Sequence, residues 1–311
     1  MKIYHSIDEF KPVPNAVVTI GTFDGVHIGH RKIIARIKEL ASETGGETVL
    51  LTFFPHPRMI LHPEDESIKL INTIDEKAAL LEQLGIDHLI ITPFSRDFSN
   101  QPPEEYIKSV LVDKIGTKKI VIGYDHRFGK DRKGGLADLQ EMAPVYGFEV
   151  IEIPEQDIDE VAVSSTVIRD ALRNGAIELA NKFLDYPFFI TGKVVRGDQI
   201  GRQIGYPTAN IVIAESYKLI PDDGIFSARI KIQGRLYDGM AYIGSRPTFN
   251  GLSRNIEVNI FDFNREIYQE KVAVQFYNFI RGDVKFTNLD DLKVQLGKDK
   301  DDVVALLKGI D

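Results

Sequence analysis

From residue 16 to about residue 154 the chain alternates two patterns. Short, almost wholly apolar runs at 17–20, 48–53, 87–92, 119–123 and 149–154 read as buried strands. Between them apolar residues recur every three or four positions. Ile33, Ile34, Ile37, Leu40 and Ala41 share one face of a predicted helix over 30–41, stopped by Gly45 and Gly46. Residues 75–84 and 136–146 predict two more helices, the latter stopped by Gly147, and Ser99 is expected to cap another with Pro102 and Pro103 near its start. Strand and helix alternating over short connections predict a Rossmann-like α/β domain, its sheet mostly parallel, with ligands at the carboxyl ends of the strands.

The pattern changes near residue 185. Residues 188–195, 225–232, 235–243, 256–260 and 272–279 read as strands, with Gly234 and Arg235 as a tight hairpin. Helical periodicity returns only at 289–296 and 301–308. Antiparallel strands followed by a terminal helix predict a small β-barrel. The expected domains are 1–184 and 185–311.

Composition narrows the function. A chain of 311 residues, 43% hydrophobic and 27% charged, is long enough for two cores. The net charge of −8 gives no basic field for nucleic acid or an anionic membrane, so an anionic ligand needs a local positive site. The absence of cysteine excludes disulfides, thiolate metal sites and a cysteine nucleophile. The N-terminus is polar, and no apolar run approaches the roughly 20 residues that span a bilayer. A cytoplasmic protein with no membrane or nucleic-acid partner is expected; nothing in the sequence marks an oligomeric interface.

Four loops after predicted strands carry the chemistry of the first half. "GTFDGVHIGH" (21–30) places His27 and His30 three apart at a helix start, where free N–H groups and the helix dipole favour an anion. It reads as a phosphate site, as a metal site lacking an obvious third ligand, or as a loop with two exposed histidines. "TFFPHP" (52–57) holds His56 in a proline-fixed loop. "GYDHRFG" (123–129) offers Asp125 for a metal or polar edge, Arg127 for phosphate and Phe128 for stacking, or is a surface loop with an ion pair. "SSTVIR" (164–169) opens a helix with capping hydroxyls and, one turn on, Arg169; no lysine-bearing P-loop exists elsewhere. Phosphate-directed chemistry in all these loops points to one nucleotide site with a second ligand beside it.

In the second half, "GRQIGYPTAN" (201–210) is glycine-rich, and Thr208 and Asn210 face one side of an extended chain as neutral oxygen donors. A polar turn is the bland reading. "NIEVNIFDF" (255–263) holds Glu257 in an alternating strand, with Ile256, Val258 and Ile260 on the other face. On its own it reads as a solvent-facing strand residue.

The 21–30 stretch resembles the HxGH signature of adenylyl-transferring nucleotidyltransferases. With Phe23-Asp24-Gly25 it is similar to the N-terminal domain of the prokaryotic bifunctional riboflavin kinase/FMN adenylyltransferases, whose motifs TFxPHP and SSTxxR are also matched. "GRQIGYPTAN" resembles the signature of the riboflavin kinase domain, a six-stranded barrel, and "PDDGIFSA" (221–228) and "GSRPTF" (244–249) fit the same family. The resemblance spans nearly the whole chain. It implies riboflavin phosphorylation to FMN and adenylylation of FMN to FAD, with ATP and Mg²⁺.

For adenylylation, the resemblance implies ATP contacts from Gly21, Phe23, Asp24, His27, His30, Ser164, Ser165, Thr166 and Arg169, with both histidines catalytic. Phe53, His56, Pro57, Asp125, Arg127 and Phe128 would meet FMN. For the kinase it implies ATP at Gly201, Arg202, Gly205, Pro207, Thr208 and Asn210, Mg²⁺ at Thr208 and Asn210, Glu257 as general base, and flavin at Glu257, Arg281 and Phe286. The chain departs from the family at His126, where an aromatic residue is usual, at Phe226 (commonly Tyr) and at Asn259 (often His). Two other readings share some motifs: transfer to a different phosphorylated acceptor such as phosphopantetheine, with a barrel that only binds, or a flavin-binding module without turnover.

Overall fold

The computed structural model describes residues 1–65, 67–154, 163–197, 199–248 and 251–310. They form two compact units, Met1–Ser165 and Thr166–Asp311.

Among the described residues of the first unit, six strands form one parallel sheet: β1 (Lys2–Tyr4), β2 (Val17–Ile20), β3 (Thr48–Phe53), β4 (His88–Thr92), β5 (Lys119–Gly123) and β6 (Glu149–Ile153), in the order β1-β4-β3-β2-β5-β6. The helices are α1 (Ile28–Thr44), α2 (Pro57–Leu61), α3 (Ile74–Gln83), α4 (Arg96–Ser99), α5 (Pro103–Tyr106), which runs into a π-helical stretch at Ile107–Ile115, and α6 (Leu136–Tyr146). The central strands are mostly apolar because both faces are covered: every residue of β2 and β4 is buried. Helix α1 turns Ile34, Ile37, Leu40 and Ala41 inward, as their spacing requires. From β2 the chain steps through β3 to β4 on one side, whereas β5 and β6 lie on the other. The crevice where the order reverses is at the carboxyl ends of β2 and β5, the place such sheets bind ligands.

One strand goes beyond the sequence pattern, and one expected cap is corrected. The edge strand β1 carries no apolar run; it forms by pairing with β4. Ser99 is not a cap but the last residue of α4, whose cap is Ser95, its hydroxyl accepting from the Phe98 N–H at 3.0 Å.

The second unit holds α7 (Ser165–Arg173, which begins at the division), α8 (Ile177–Leu184), α9 (Ile200–Gln203), α10 (Leu289–Leu307) and six barrel strands: β7 (Phe189–Val195), β8 (Ala209–Val212), β9 (Gly224–Ile232), β10 (Arg235–Thr248), β11 (Gly251–Ile260) and β12 (Lys271–Arg281). They close in the order β10-β11-β8-β7-β12-β9, each pair antiparallel. Helices α7 and α8 lie against this barrel. The Asn181 amide donates to the Phe276 carbonyl and accepts from the Phe188 N–H, at 2.8 and 2.7 Å, and the Asp222 N–H bonds the Leu172 carbonyl. The compact division therefore falls some twenty residues before the change of sequence pattern at 184.

The hairpin turn is Gln233-Gly234, both at positive φ, with Arg235 already paired to Ile232; it sits one residue earlier than expected. The terminal helix is continuous through Gly297 rather than split, and packs Val303 and Leu307 on Met240 and Phe261. Phe249 of "GSRPTF" lies outside the described residues.

Candidate functional site

The histidine turn joins β2 to α1 at the switch point of the sheet. It is tightly wound: Gly25 has φ 88°, and the non-glycine residues Phe23 and Val26 also stand in the left-handed region, at 46° and 39°. A β-branched residue rarely adopts this conformation, and such strain persists only where surrounding bonds fix it. They do so here. The Asp24 carboxylate, fully buried, accepts from the N–H groups of Ile71 and Asn72 at 3.0 and 3.3 Å. The Ser165 hydroxyl donates to the Asp24 carbonyl at 2.8 Å. The Thr22 carbonyl accepts from Thr52 Oγ1 at 3.2 Å and from Lys77 Nζ at 2.6 Å.

His27 is the N-cap of α1; its Nδ1 accepts from the His30 N–H at 3.4 Å, which leaves the ring proton on Nε2 as a donor. The His30 ring stacks on that of His27, centroids 3.7 Å apart, and lies 4.9 Å from the Phe23 ring. Burial, then the His27 and Lys77 charges, hold the His30 pKa well below the ordinary histidine value. Its Nδ1 has no hydrogen-bond partner among the described residues. The turn thus gathers two imidazoles and a helix N-terminus of 17 residues' dipole, suited to polyphosphate. The metal reading of the histidine pair finds no third ligand: among the described residues no group of three or more His, Asp or Glu side chains is placed to hold a metal.

Of the residues expected to share this nucleotide site, Gly21, Phe23, Asp24, His27, His30 and Ser165 come together. Ser164 is exposed just before α7. Thr166 and Arg169 belong to the second unit, Thr166 exposed and Arg169 partly buried in the second turn of α7.

Beside the turn, aromatic rings gather at the carboxyl ends of β3, β4 and β5. Phe53 lies 5.6 Å from Phe94 and 5.5 Å from Phe98; Phe98 meets Tyr106 at 5.8 Å, and Tyr106 meets Phe128 at 5.2 Å. Phe94, Phe98 and Tyr106 escaped the sequence reading, because they are scattered over two short helices and a loop and carry no motif. Among the described residues, buried atoms here lack partners: Thr92 Oγ1, Gln101 Oε1, Tyr106 OH and His126 Nε2. Burial pushes the Tyr106 hydroxyl pKa up and drops that of His126 to about 4. An apolar nest with unspent polar atoms suits a flat heteroaromatic ring. His56, largely buried, caps α2 through Nδ1, with Pro57 following; Asp125 and Arg127 are exposed.

In the barrel, the pairing of β11 with β8 and β10 sets Glu257 opposite Asn210 on one side and Tyr242 on the other. Glu257 Oε2 accepts from Thr208 Oγ1 at 2.8 Å and Oε1 from the Asn255 amide at 2.6 Å. Asn259, the departure from the family pattern, donates to the Pro207 carbonyl at 2.7 Å and so pins the segment carrying Thr208 and Asn210. Gly201 and Tyr206 close the turn before it, N–H to carbonyl at 2.8 Å, and a Cβ on Gly201 would strike the Tyr206 carbonyl. Gly201, Arg202, Gly205 and Pro207 thus form the approach to Thr208.

Arg281 is brought to α10. Its guanidinium makes two bonds to the buried Asp299 carboxylate, at 2.9 and 2.7 Å, and lies 5.9 Å from the Phe286 ring. Tyr242, donating to Asp283 at 3.3 Å, has its pKa pushed up to about 12, chiefly by burial. Tyr242 and Asp283 are further polar neighbours that the motifs did not single out.

Comparison with known proteins matches residues 10–167 to the FAD synthetase family model and residues 184–307 to the riboflavin kinase model. The bifunctional riboflavin kinase/FMN adenylyltransferase of Listeria monocytogenes is 37% identical over 97% of this chain and 96% of its own. That of Bacillus subtilis is 36% identical over 95% and 93%. A solved structure from Streptococcus pneumoniae, described as a macrolide-efflux protein, superposes with a TM-score of 0.87 at 32% identity, covering 96% of this chain and 97% of that one. Among the described residues no helix is long and apolar enough to cross a membrane.

Proposed function

The chain belongs to the bifunctional riboflavin kinase/FMN adenylyltransferase family, and from that premise we propose how its residues divide the two reactions that lead from riboflavin to FAD. Residues 1–184 adenylylate and residues 185–311 phosphorylate. The observation that carries the assignment is the strained histidine turn at the switch point of the parallel sheet.

In the adenylyltransferase, the ATP polyphosphate lies on the helix start of α1, with Ser164 and Ser165 as its further partners. The FMN ring enters the nest of Phe53, Phe94, Phe98, Tyr106 and Phe128, with His56, Asp125 and Arg127 at its rim. An FMN phosphate oxygen attacks the α-phosphorus of ATP. The bond to the β-phosphate bridging oxygen breaks, and pyrophosphate leaves. His27 Nε2–H and the His30 ring meet the charge that gathers on the leaving group. Catalysis is orientation and charge neutralisation without a covalent enzyme intermediate.

In the kinase, Glu257 takes the proton of the terminal ribityl hydroxyl, whose oxygen attacks the γ-phosphorus of ATP; ADP leaves. The Thr208 and Asn255 bonds fix both carboxylate oxygens, so the base is oriented before substrate arrives. Thr208 Oγ1 and Asn210 Oδ1 supply an oxygen-only, uncharged donor set, which fits Mg²⁺, an ion that retains waters and substrate phosphates. Bound there, Mg²⁺ would screen the phosphate charge. The chain acts on riboflavin, FMN and ATP, in the cytoplasm and without a nucleic-acid or membrane partner.

Incubation with riboflavin, ATP and Mg²⁺ tests this reading: FMN and then FAD accumulate. A preparation that forms neither product overturns it, and one that adenylylates only a non-flavin acceptor does so equally.

A further inference from the structure

Lys77 takes no part in either reaction as described, yet its placement is costly. It lies in the first turn of α3, where the helix dipole disfavours a cation, and it is only 3% exposed. A residue that merely filled this space would be apolar, as Leu80 and Leu81 are on the same helix. Its ammonium instead donates to the Thr22 carbonyl at 2.6 Å, near the buried Asp24 carboxylate. Asp24 is held in turn by the N–H groups of Ile71 and Asn72, just upstream of the same helix. The 71–77 segment therefore grips the histidine turn on both sides of Phe23, the first of its two strained non-glycine residues.

We propose that Lys77 is a positioning residue for adenylyl transfer: it fastens the Thr22 carbonyl from beneath, so that the strained turn presents His27, His30 and the N–H groups of α1 in line with the polyphosphate. This rests on the assignment of the turn to ATP.

The charge matters as well as the bond. Among the described residues, the ionisable groups coupled to Lys77 are Asp24, on the turn, and His30, on α1. Asp24 favours the ammonium, and the ammonium adds to burial and to His27 in disfavouring a charge on His30, whose ring stacks on His27 and lies tilted against Phe23. Burial, opposed by Asp24, lowers the Lys77 pKa to about 8. Adenylylation then weakens as pH rises past that value and the clamp loses its proton.

The test uses the full chain with Lys77→Met and Lys77→Arg, assaying FAD formation from supplied FMN and FMN formation from riboflavin in the same preparations. A displaced turn costs roughly 10–100-fold, so Lys77→Met lowers kcat for adenylylation by that factor and raises the KM for ATP, with the kinase activity unchanged. Lys77→Arg, charged at every accessible pH, recovers most of the rate and abolishes the alkaline fall. Wild-type kcat and KM in Lys77→Met overturn the proposal. If Lys77→Met fails to fold, the arginine variant decides: an alkaline fall identical to wild type overturns it. His27→Ala separates the two levels. If it retains adenylylation, the reading of the turn itself is wrong; if it loses adenylylation while Lys77→Met does not, only the role of Lys77 is.

Discussion

Replacing Glu257 by glutamine keeps the shape of the side chain and removes its basicity. In the barrel both carboxylate oxygens are occupied, Oε2 by the Thr208 hydroxyl and Oε1 by the Asn255 amide. Glutamine keeps an acceptor for Thr208 but turns an –NH₂ toward Asn255, whose own amide satisfies it by flipping. Two charge-assisted hydrogen bonds become two neutral ones, a loss of about 1–3 kcal/mol in stability. The chemical loss is larger. A positioned base contributes about 10²–10⁴-fold, which at about 1.4 kcal/mol per tenfold is roughly 3–5 kcal/mol on the barrier. The folded fraction stays high, so the fall in rate reports chemistry rather than unfolding. FMN formation from riboflavin therefore drops by two to four orders of magnitude in kcat, with a KM for ATP close to wild type, because the carboxylate is not placed among the nucleotide contacts. FAD formation from supplied FMN is unaffected. A kcat for riboflavin phosphorylation within about threefold of wild type would refute the assignment of the base, and an equal loss of both activities would refute the separation of sites.

Three further outcomes follow from packing and charge. In the folded chain His126 resists protonation down to about pH 4, mainly through burial, whereas the unfolded chain takes the proton near pH 6.5. Stability therefore falls as pH drops below about 6.5, by up to about 2 kcal/mol at pH 5; urea midpoints at pH 7 and 5 should converge in His126→Phe, and an unchanged slope in that variant contradicts the account. A methyl group on Gly134 would sit 2.7 Å from Phe128 Cε2 and 3.0 Å from the Phe128 carbonyl. Gly134→Ala should displace that ring and, at about 1–3 kcal/mol of overpacking, raise the KM for FMN in adenylylation about tenfold or more while leaving the KM for riboflavin alone; equal KM values for FMN would place the ring outside the flavin pocket. Arg281→Met leaves the Asp299 carboxylate, 1% exposed, buried without its cation, at a cost of about 3–5 kcal/mol, and Asp299→Leu added to it should restore most of the stability. If the double variant melts like wild type but binds riboflavin poorly, Arg281 serves the flavin as well as the helix; if the single variant costs under about 1 kcal/mol, the pair does not anchor α10.

The fold was legible wherever one residue pattern decided the outcome locally. Strands β2, β3 and β5 are mostly apolar and almost wholly buried because helices cover both sides of the sheet, and their bounds could be read directly. The elements that escaped are those created by pairing. Strand β1 is three largely exposed residues whose apolar content says nothing, and only β4 alongside makes it a strand. Strand β8 is four residues of mixed character that exist as a strand because β7 and β11 flank it and the barrel has to close. The periodicity shows two helical stretches, 289–296 and 301–308, yet α10 is continuous, because Val303 and Leu307 are buried on Met240 and Phe261 and that burial outweighs the propensity cost of about 1 kcal/mol for Gly297.

The same division runs through the sites. Candidate residues on one contiguous loop, such as His27 with His30 or Thr208 with Asn210, announce themselves by spacing, because a loop can place two side chains on one side only in a few ways. Residues that support the loop from elsewhere do not. Lys77 is fifty residues away from the histidines and looks like any helix-surface lysine in a sequence of alternating charge; its meaning comes from burial and a single bond to the Thr22 carbonyl. Asn259 is the converse case. Judged by the motif it is a departure, but its amide holds the Pro207 carbonyl and so fixes the height of Thr208 beside Glu257. In this chain the side chain at 259 therefore ties one backbone carbonyl of the segment that carries Thr208 and Asn210.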